Sequence, residues 1–201
     1  MVHKSCKPDS ADLAEYKQHA TGQHHHRGKS SESLLDKEAI LSALKIGHGQ
    51  TVLDAGCGNG YMSKEFSRLV GVNGKVYALD PDKISIAALR KETEGTNIVA
   101  LVGDITTRMP LPASAFNLIY LSTVVHGFVG EQIEGFKVEV KRLLAPDGKL
   151  AVVEIVKRDT PFGPPHNIRF SPEELRNALG FASKATVELG EYFYLQIFEN
   201  R

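Results

Sequence analysis

At 201 residues, 42% of them hydrophobic, the chain has enough material for one domain with a sizeable core, and its 24 Lys plus Arg balance its 24 Asp plus Glu. That balance leaves no global field to select a nucleic acid or an acidic membrane surface, and no apolar run approaches the roughly 20 residues of a membrane span. The start Met1-Val-His-Lys-Ser-Cys6 lacks a signal-peptide core and two cysteines, Cys6 and Cys57, make no disulfide framework, so a reduced, cytoplasmic setting is expected.

Residues 1–30 are polar and hold five histidines, His3, His19, His24, His25 and His26. They have few apolar side chains to offset the entropy of ordering, so a mobile segment is expected, one that could close as a lid carrying Tyr16 and Arg27. Three consecutive histidines cannot all point one way on a helix, and no metal site is expected from them. A domain spanning 31–201 follows. Its first helix is predicted over Ser31 to Lys45, capped by Ser31 or Ser33 and stopped by Gly47 and Gly49.

Thr51-Val-Leu reads as a buried strand that Asp54 ends. Gly56, Gly58 and Gly60 follow at alternate positions, and a helical pattern runs from Tyr61 to Val70. Strand, glycine loop and helix open a nucleotide-binding βαβ unit, in which free helix N–H groups and a bare backbone can receive a ligand. A dinucleotide fingerprint places its third Gly three residues after the second. Here the interval is two, and the string is D-x-G-x-G-x-G. Cys57 inside this loop is expected as a tolerated small residue rather than a reactive thiol.

Lys75 to Asp80 is the second strand, and its terminal carboxylate suits ribose hydroxyls. Pro81 and Asp82 open a helix to about Glu92, and Ile98 to Val102 lead into Gly103-Asp104 as the third strand. Phe116 to Val125 is a fourth strand with its loop, apolar enough to be buried on both faces, and His126 follows it. A helix from Glu131 to Leu144, an exit turn over Leu144 to Gly148 and a strand from Lys149 to Val156 come next. The proline-rich stretch from Arg158 to Arg169 is a long loop carrying His166, and Arg169 is either an anion-binding or a structural residue. Ser171-Pro-Glu-Glu174 is a capping box, and strands from Lys184 to Leu189 and Tyr192 to Glu199 close the chain as an antiparallel hairpin.

The D-x-G-x-G-x-G string, Asp80, Gly103-Asp104, the stretch Met109-Pro-Leu-Pro-Ala-Ser-Ala-Phe-Asn-Leu-Ile-Tyr120 and Arg142-Leu-Leu-Ala-Pro-Asp-Gly-Lys-Leu150 together resemble class I S-adenosyl-L-methionine (SAM) dependent methyltransferases. The resemblance covers about residues 34–200 and is closest to the small-molecule, type 11 group that includes ubiquinone and menaquinone methylases. It departs at Asn117, where the family usually has Asp. It implies an α/β fold, a doubly wound, Rossmann-like sheet of seven strands ending in the antiparallel hairpin, with SAM as cofactor. The cofactor site it implies comprises Asp54, Gly56, Gly58, Gly60, Asp80, Pro81, Gly103, Asp104, Ile105 and Ser122, with Asp104 on the adenine amine and Ile105 on its ring. His126 is the candidate catalytic base and His166 a weaker one. A small-molecule acceptor is expected, with no nucleic acid, no membrane span and no metal, and the oligomeric state is left open, a homodimer included. Two other readings stay open, a SAM-binding partner protein without catalysis and an NAD-dependent oxidoreductase that would share the sheet and Asp80.

Overall fold

The computed structural model describes residues 34–200. The segment 1–30, with its expected lid, Tyr16, Arg27 and the histidine run, lies outside the described residues, as do Ser31 and Ser33. The elements in chain order are α1 (Lys37–Leu44), β1 (Thr51–Ala55), α2 (Tyr61–Val70), β2 (Lys75–Asp80), α3 (Lys83–Glu92), β3 (Ile98–Val102), β4 (Phe116–Ser122), α4 (Gly130–Leu143), β5 (Leu144–Ile155), α5 (Pro172–Leu179), β6 (Ala182–Leu189) and β7 (Phe193–Glu199). Short 3-10 turns lie at Val125–Gly127 and His166–Ile168.

The strands form one seven-stranded sheet in the order β3-β2-β1-β4-β5-β7-β6. The first five pair in parallel, while β7 runs antiparallel between β5 and β6. This is the doubly wound sheet with a closing hairpin that the sequence predicts. Side chains alternate across a strand, and both faces are covered, which is why β4 is apolar nearly throughout. Val52, Phe66, Ile86 and Ile40 pack on one face with α1, α2 and α3. Leu53, Phe136, Val140 and Leu175 pack on the other with α4 and α5. The strand order reverses between β1 and β4, so the loops leaving their carboxyl ends diverge there. That crevice is the topological switch point where such sheets receive ligands.

Among the boundaries that differ from the sequence reading, three have a clear physical reason. The described part of the first helix starts at Lys37, where Asp36 Oδ1 accepts the Ala39 N–H at 2.9 Å and caps it. β1 continues through Asp54 to Ala55, because Ser63 satisfies the aspartate's carboxyl inside the core. The expected exit turn belongs to β5: Leu144 pairs with Phe116, and a register shift between Phe116 and Leu118 absorbs the residues up to Lys149. Gly148 permits this, since a Cβ there would lie 2.8 Å from the Phe116 carbonyl oxygen. The capping box is formed as predicted, with Ser171 N–H donating to Glu174 Oε2 at 2.8 Å and Glu174 N–H to Ser171 Oγ at 3.2 Å.

Candidate active site

The glycine loop is tied to the end of β2. Gly56 and Cys57 N–H both donate to the Leu79 carbonyl, at 2.7 and 3.1 Å. Gly58 N–H donates to Asp80 Oδ2 at 2.9 Å. The three glycines serve different ends. A Cβ at Gly56 would meet Val124 Cγ2 at 2.5 Å, and one at Gly60 would meet Leu89 Cδ1 at 2.5 Å, so both allow other parts of the protein to close in. Gly58, at φ +54°, has nothing within 4 Å of such an atom and faces open space. Cys57 is buried beneath the loop, and burial, reinforced by Asp54, pushes its thiol far above the ordinary range. It is a packed small residue, not a nucleophile.

Asp80 Oδ1 also accepts the Asp82 N–H at 2.8 Å, which aims the carboxylate and leaves lone pairs on both oxygens. Asp104 sits beyond the end of β3, where its Oδ1 accepts Thr106 N–H at 2.8 Å and Thr106 Oγ–H at 2.7 Å. Oδ2 of Asp104 carries no hydrogen bond among the described residues. The segment bearing Asp104 is clamped from α4. Glu139 Oε1 accepts the Met109 N–H at 2.8 Å, and Arg142 donates to the Leu111 carbonyl at 2.8 Å and the Met109 carbonyl at 3.1 Å. Burial alone would raise the Glu139 carboxyl, but hydrogen bonds from Arg142 and Met109 outweigh it and hold the group below the ordinary carboxylate value. Gly103 is close-packed, since a Cβ there would strike the Met109 thioether, and Ile105 is buried in the core with Leu79 and Met109.

Below the glycine loop lies a buried polar layer. Asp54 accepts a 2.5 Å hydrogen bond from Ser63 Oγ and is only 3% exposed. Burial raises its carboxyl to about 7 against the opposing hydrogen bonds from Ser63. Tyr120 lies opposite Asp54 on β4 and stacks edge-on against Phe66 at 5.1 Å. The Tyr120 hydroxyl and Ser122 Oγ are buried with no hydrogen-bond partner among the described residues.

The loop after β4 brings His126 to the same edge. Thr123 takes φ +55° while its N–H donates to the Val153 carbonyl at 2.8 Å, and Val124 rests on Gly56. His126 then meets Glu154, a fully buried carboxyl near the end of β5. Glu154 Oε2 lies 2.7 Å from His126 Nδ1, and Glu154 Oε1 accepts the His126 N–H at 3.1 Å. Beside this pair, burial and then the Glu154 charge hold the Tyr194 phenol well above its ordinary range, and its hydroxyl donates to the Phe170 carbonyl at 2.9 Å.

Comparison with known proteins settles the frame. A family profile described as a methyltransferase domain matches residues 52–148. The chain is 34% identical over 101 residues to a probable cobalt-precorrin-6B C(15)-methyltransferase (decarboxylating) of Saccharolobus solfataricus, covering 46% of this chain and 51% of that protein. It is 30% identical over 124 residues to the ubiquinone/menaquinone biosynthesis C-methyltransferase UbiE of Escherichia fergusonii, covering 60% and 49%. The chain thus spans about half the length of the curated relatives it matches. A crystal structure of a SAM dependent methyltransferase from Aquifex aeolicus superposes with a TM-score of 0.77 at 26% identity, covering 97% of this chain and 100% of that one. A putative type 11 methyltransferase from Sulfolobus solfataricus shares the fold, with a TM-score of 0.67 at 21% identity over 80% and 89%.

Residues 52–148 match a methyltransferase domain, and the fold is that of class I SAM-dependent methyltransferases. Within this domain the structure brings Gly56, Gly58, Asp80, Asp104, Ser122 and His126 to the carboxyl edge of the sheet. Asp54 and Ile105 sit lower, in the core, while Pro81 is exposed at the turn before α3. The residues present suit SAM on three observations: an aimed carboxylate with spare lone pairs at Asp80, a bare open backbone at Gly58, and orphaned buried hydroxyls at Tyr120 and Ser122. Among the described residues no group of three or more His, Cys, Asp or Glu could hold a metal, and no helix is long and apolar enough to cross a membrane.

Arg169 turns out to be structural. It is 6% exposed, and its guanidinium donates to the carbonyls of Pro164 (2.7 Å), Arg158 (2.7 Å), Phe162 (3.2 Å) and Val156 (3.3 Å), clasping the proline-rich loop. His166 is exposed on that loop's 3-10 turn. Asn117, the departure from the family pattern, accepts the Thr51 N–H at 2.9 Å at the start of β4, the opposite edge from the site. Sequence reasoning missed Glu154. Its one signal was a carboxylate inside an otherwise apolar strand, Leu150-Ala-Val-Val-Glu-Ile155, a residue type that is rarely buried without a partner.

Proposed function

We propose that this chain transfers the methyl group of SAM to a small-molecule acceptor. The observation that carries the reading is the Asp80–Gly58 tie at the switch point. It fixes a carboxylate beside an open glycine backbone, a pairing that receives a ribose and the chain following it. Asp80 would hold the ribose hydroxyls, Asp104 the adenine amine, and Ser122 and Tyr120 the polar methionine end. When bound, SAM supplies a sulfonium methyl that an acceptor lone pair displaces in line, the C–S electron pair returning to sulfur to leave S-adenosylhomocysteine. The chain's own share of catalysis is alignment of the nucleophile with that methyl, with His126 beside the acceptor.

A small acceptor is supported by the absence of any inserted domain among the described residues, the longest link being 156–171 between β5 and α5. It is also supported by the relatives, whose names specify C-methylation in cobalt-precorrin and quinone biosynthesis. The His126–Glu154 pair favours an enzyme over an inert SAM-binding partner, because a binder has no use for a buried carboxylate that orients a histidine. Isothermal titration calorimetry with SAM and with NAD tests the reading. Binding of SAM and not of NAD is expected. Binding of NAD alone would overturn it.

A further inference from the structure

We propose that Glu154 is a positioning residue that keeps His126 as a free base at Nε2, so that the acceptor is one whose nucleophilic atom carries a proton. The inference rests on the methyltransferase reading of the site.

The donors and acceptors around His126 decide which ring nitrogen is free. An ionised carboxylate only accepts hydrogen bonds. Glu154 meets the same residue twice: Oε1 accepts the His126 backbone N–H at 3.1 Å and Oε2 lies 2.7 Å from Nδ1. With the carboxylate ionised and the imidazole neutral, Nδ1 carries the ring proton and the Nε2 lone pair is left bare. Nε2 has no hydrogen-bond partner among the described residues, although the side chain is only 13% exposed. The geometry is over-determined. The backbone contact fixes the carboxylate, the carboxylate fixes the ring, and the ring lies two residues from Val124, which packs on the glycine loop. A histidine held only for packing would not require a fully buried carboxylate near the end of a central strand, since burying that charge is unfavourable unless it is paired.

A base at this position is of use only to an acceptor that must lose a proton. Phenol or enol hydroxyls, thiols and activated C–H groups belong to this class. Thioethers, tertiary amines and metalloid lone pairs do not. In the step assigned here the acceptor X–H proton moves to Nε2, whose lone pair forms the new N–H bond. The X–H electron pair stays on X as the nucleophilic pair, and the resulting imidazolium returns its proton to water after release. Base catalysis of this kind contributes on the order of 10²–10⁴-fold.

The Gln variant separates this role from mere packing. An amide of the same shape has one acceptor oxygen and one NH2 group. If the oxygen keeps the His126 backbone N–H, the NH2 must face Nδ1 and donate to it, which drives the ring proton onto Nε2 and removes the base.

The test uses the full chain, with 15N spectroscopy of the histidine rings, calorimetry with SAM, and S-adenosylhomocysteine release with catechol, thiophenol and dimethyl sulfide as probe acceptors. In the wild type the His126 proton is expected on Nδ1. Glu154→Gln should move it to Nε2 and lower kcat at least tenfold on the proton-bearing probe. KM and SAM affinity should stay within twofold, and Glu154→Asp should restore part of kcat. Wild-type chain with the proton on Nε2 would overturn the proposal even if the variant fails to fold. So would turnover of dimethyl sulfide, turnover of neither proton-bearing probe by a chain that binds SAM, or full kcat in Glu154→Gln. A wild-type chain that binds no SAM would instead overturn the reading of the site beneath it.

Discussion

Asp54 is a carboxyl group that the fold prefers uncharged. Its ordinary value of 3.8 is raised to about 7, chiefly by burial. The sign of the pH effect follows: stability from this group is fully present below the unfolded value and is lost as pH rises through about 7. At about 1.4 kcal/mol per unit the loss is at most about 4 kcal/mol. Asp54→Asn keeps an acceptor for Ser63 without the charge. Urea unfolding should show the variant's stability gaining on the wild type between about pH 4 and pH 8, and a difference flat with pH would mean that the wild-type carboxyl is ionised in the fold. The two carboxylate oxygens of Asp80 accept the N–H groups of Gly58 and Asp82. Asp80→Ala should cost roughly 1.5–3 kcal/mol in SAM affinity, the scale for hydrogen bonds to a charged group. It should also cost about 1 kcal/mol in stability, since two backbone N–H groups lose their acceptor to water. Calorimetry and denaturant unfolding on the same variant read both effects, and unchanged SAM affinity would place the ribose elsewhere.

Two elements hold the edge of the site in shape. The first is the face of α4 against the Asp104 segment. A Cβ at Gly135 would fall 2.1 Å from the Thr106 carbonyl oxygen, so the helix and this segment touch backbone to backbone. Alanine is the better helix former by roughly 1 kcal/mol, yet Gly135→Ala should displace the segment and weaken SAM binding more than tenfold, measured by calorimetry. An unchanged affinity would show that Asp104 takes no part in holding the ligand. The second is the loop of 156–171, clasped by Arg169 through four carbonyl oxygens. Arg169→Met strands those acceptors at about 1–3 kcal/mol for each that cannot reach water. Limited proteolysis should cut the variant within 157–168 well before the wild type, and equal resistance would mean that the prolines alone hold the loop. The loop was legible in sequence as long and proline-rich. The clasp was not, because an arginine followed by Phe-Ser-Pro has no local sign of which carbonyls it will find.

For the whole molecule, periodicity and glycine punctuation were enough to place the strands, because a parallel sheet covered on both faces writes itself as apolar runs ending in Asp or Gly at the ligand edge. The positions of Asp80 and Asp104 at that edge are legible in the sequence for the same reason. Asp54 was misplaced as the end of its strand because its partner, Ser63, lies in the next helix and only the folded packing pairs them. Glu154 was unreadable as a site residue because its meaning depends on a contact 28 residues back in the chain. The strand order that reverses between β1 and β4 brings these pieces together around one crevice, the expected entry for SAM. The most direct measurement is a backbone amide NMR titration of the chain with SAM. The largest shifts are expected at Gly58, Asp80, Asp104 and Ser122, with little change at the opposite edge around Asn117 and Asp147. Saturating SAM that leaves Gly58 and Asp80 unmoved would contradict binding in that crevice.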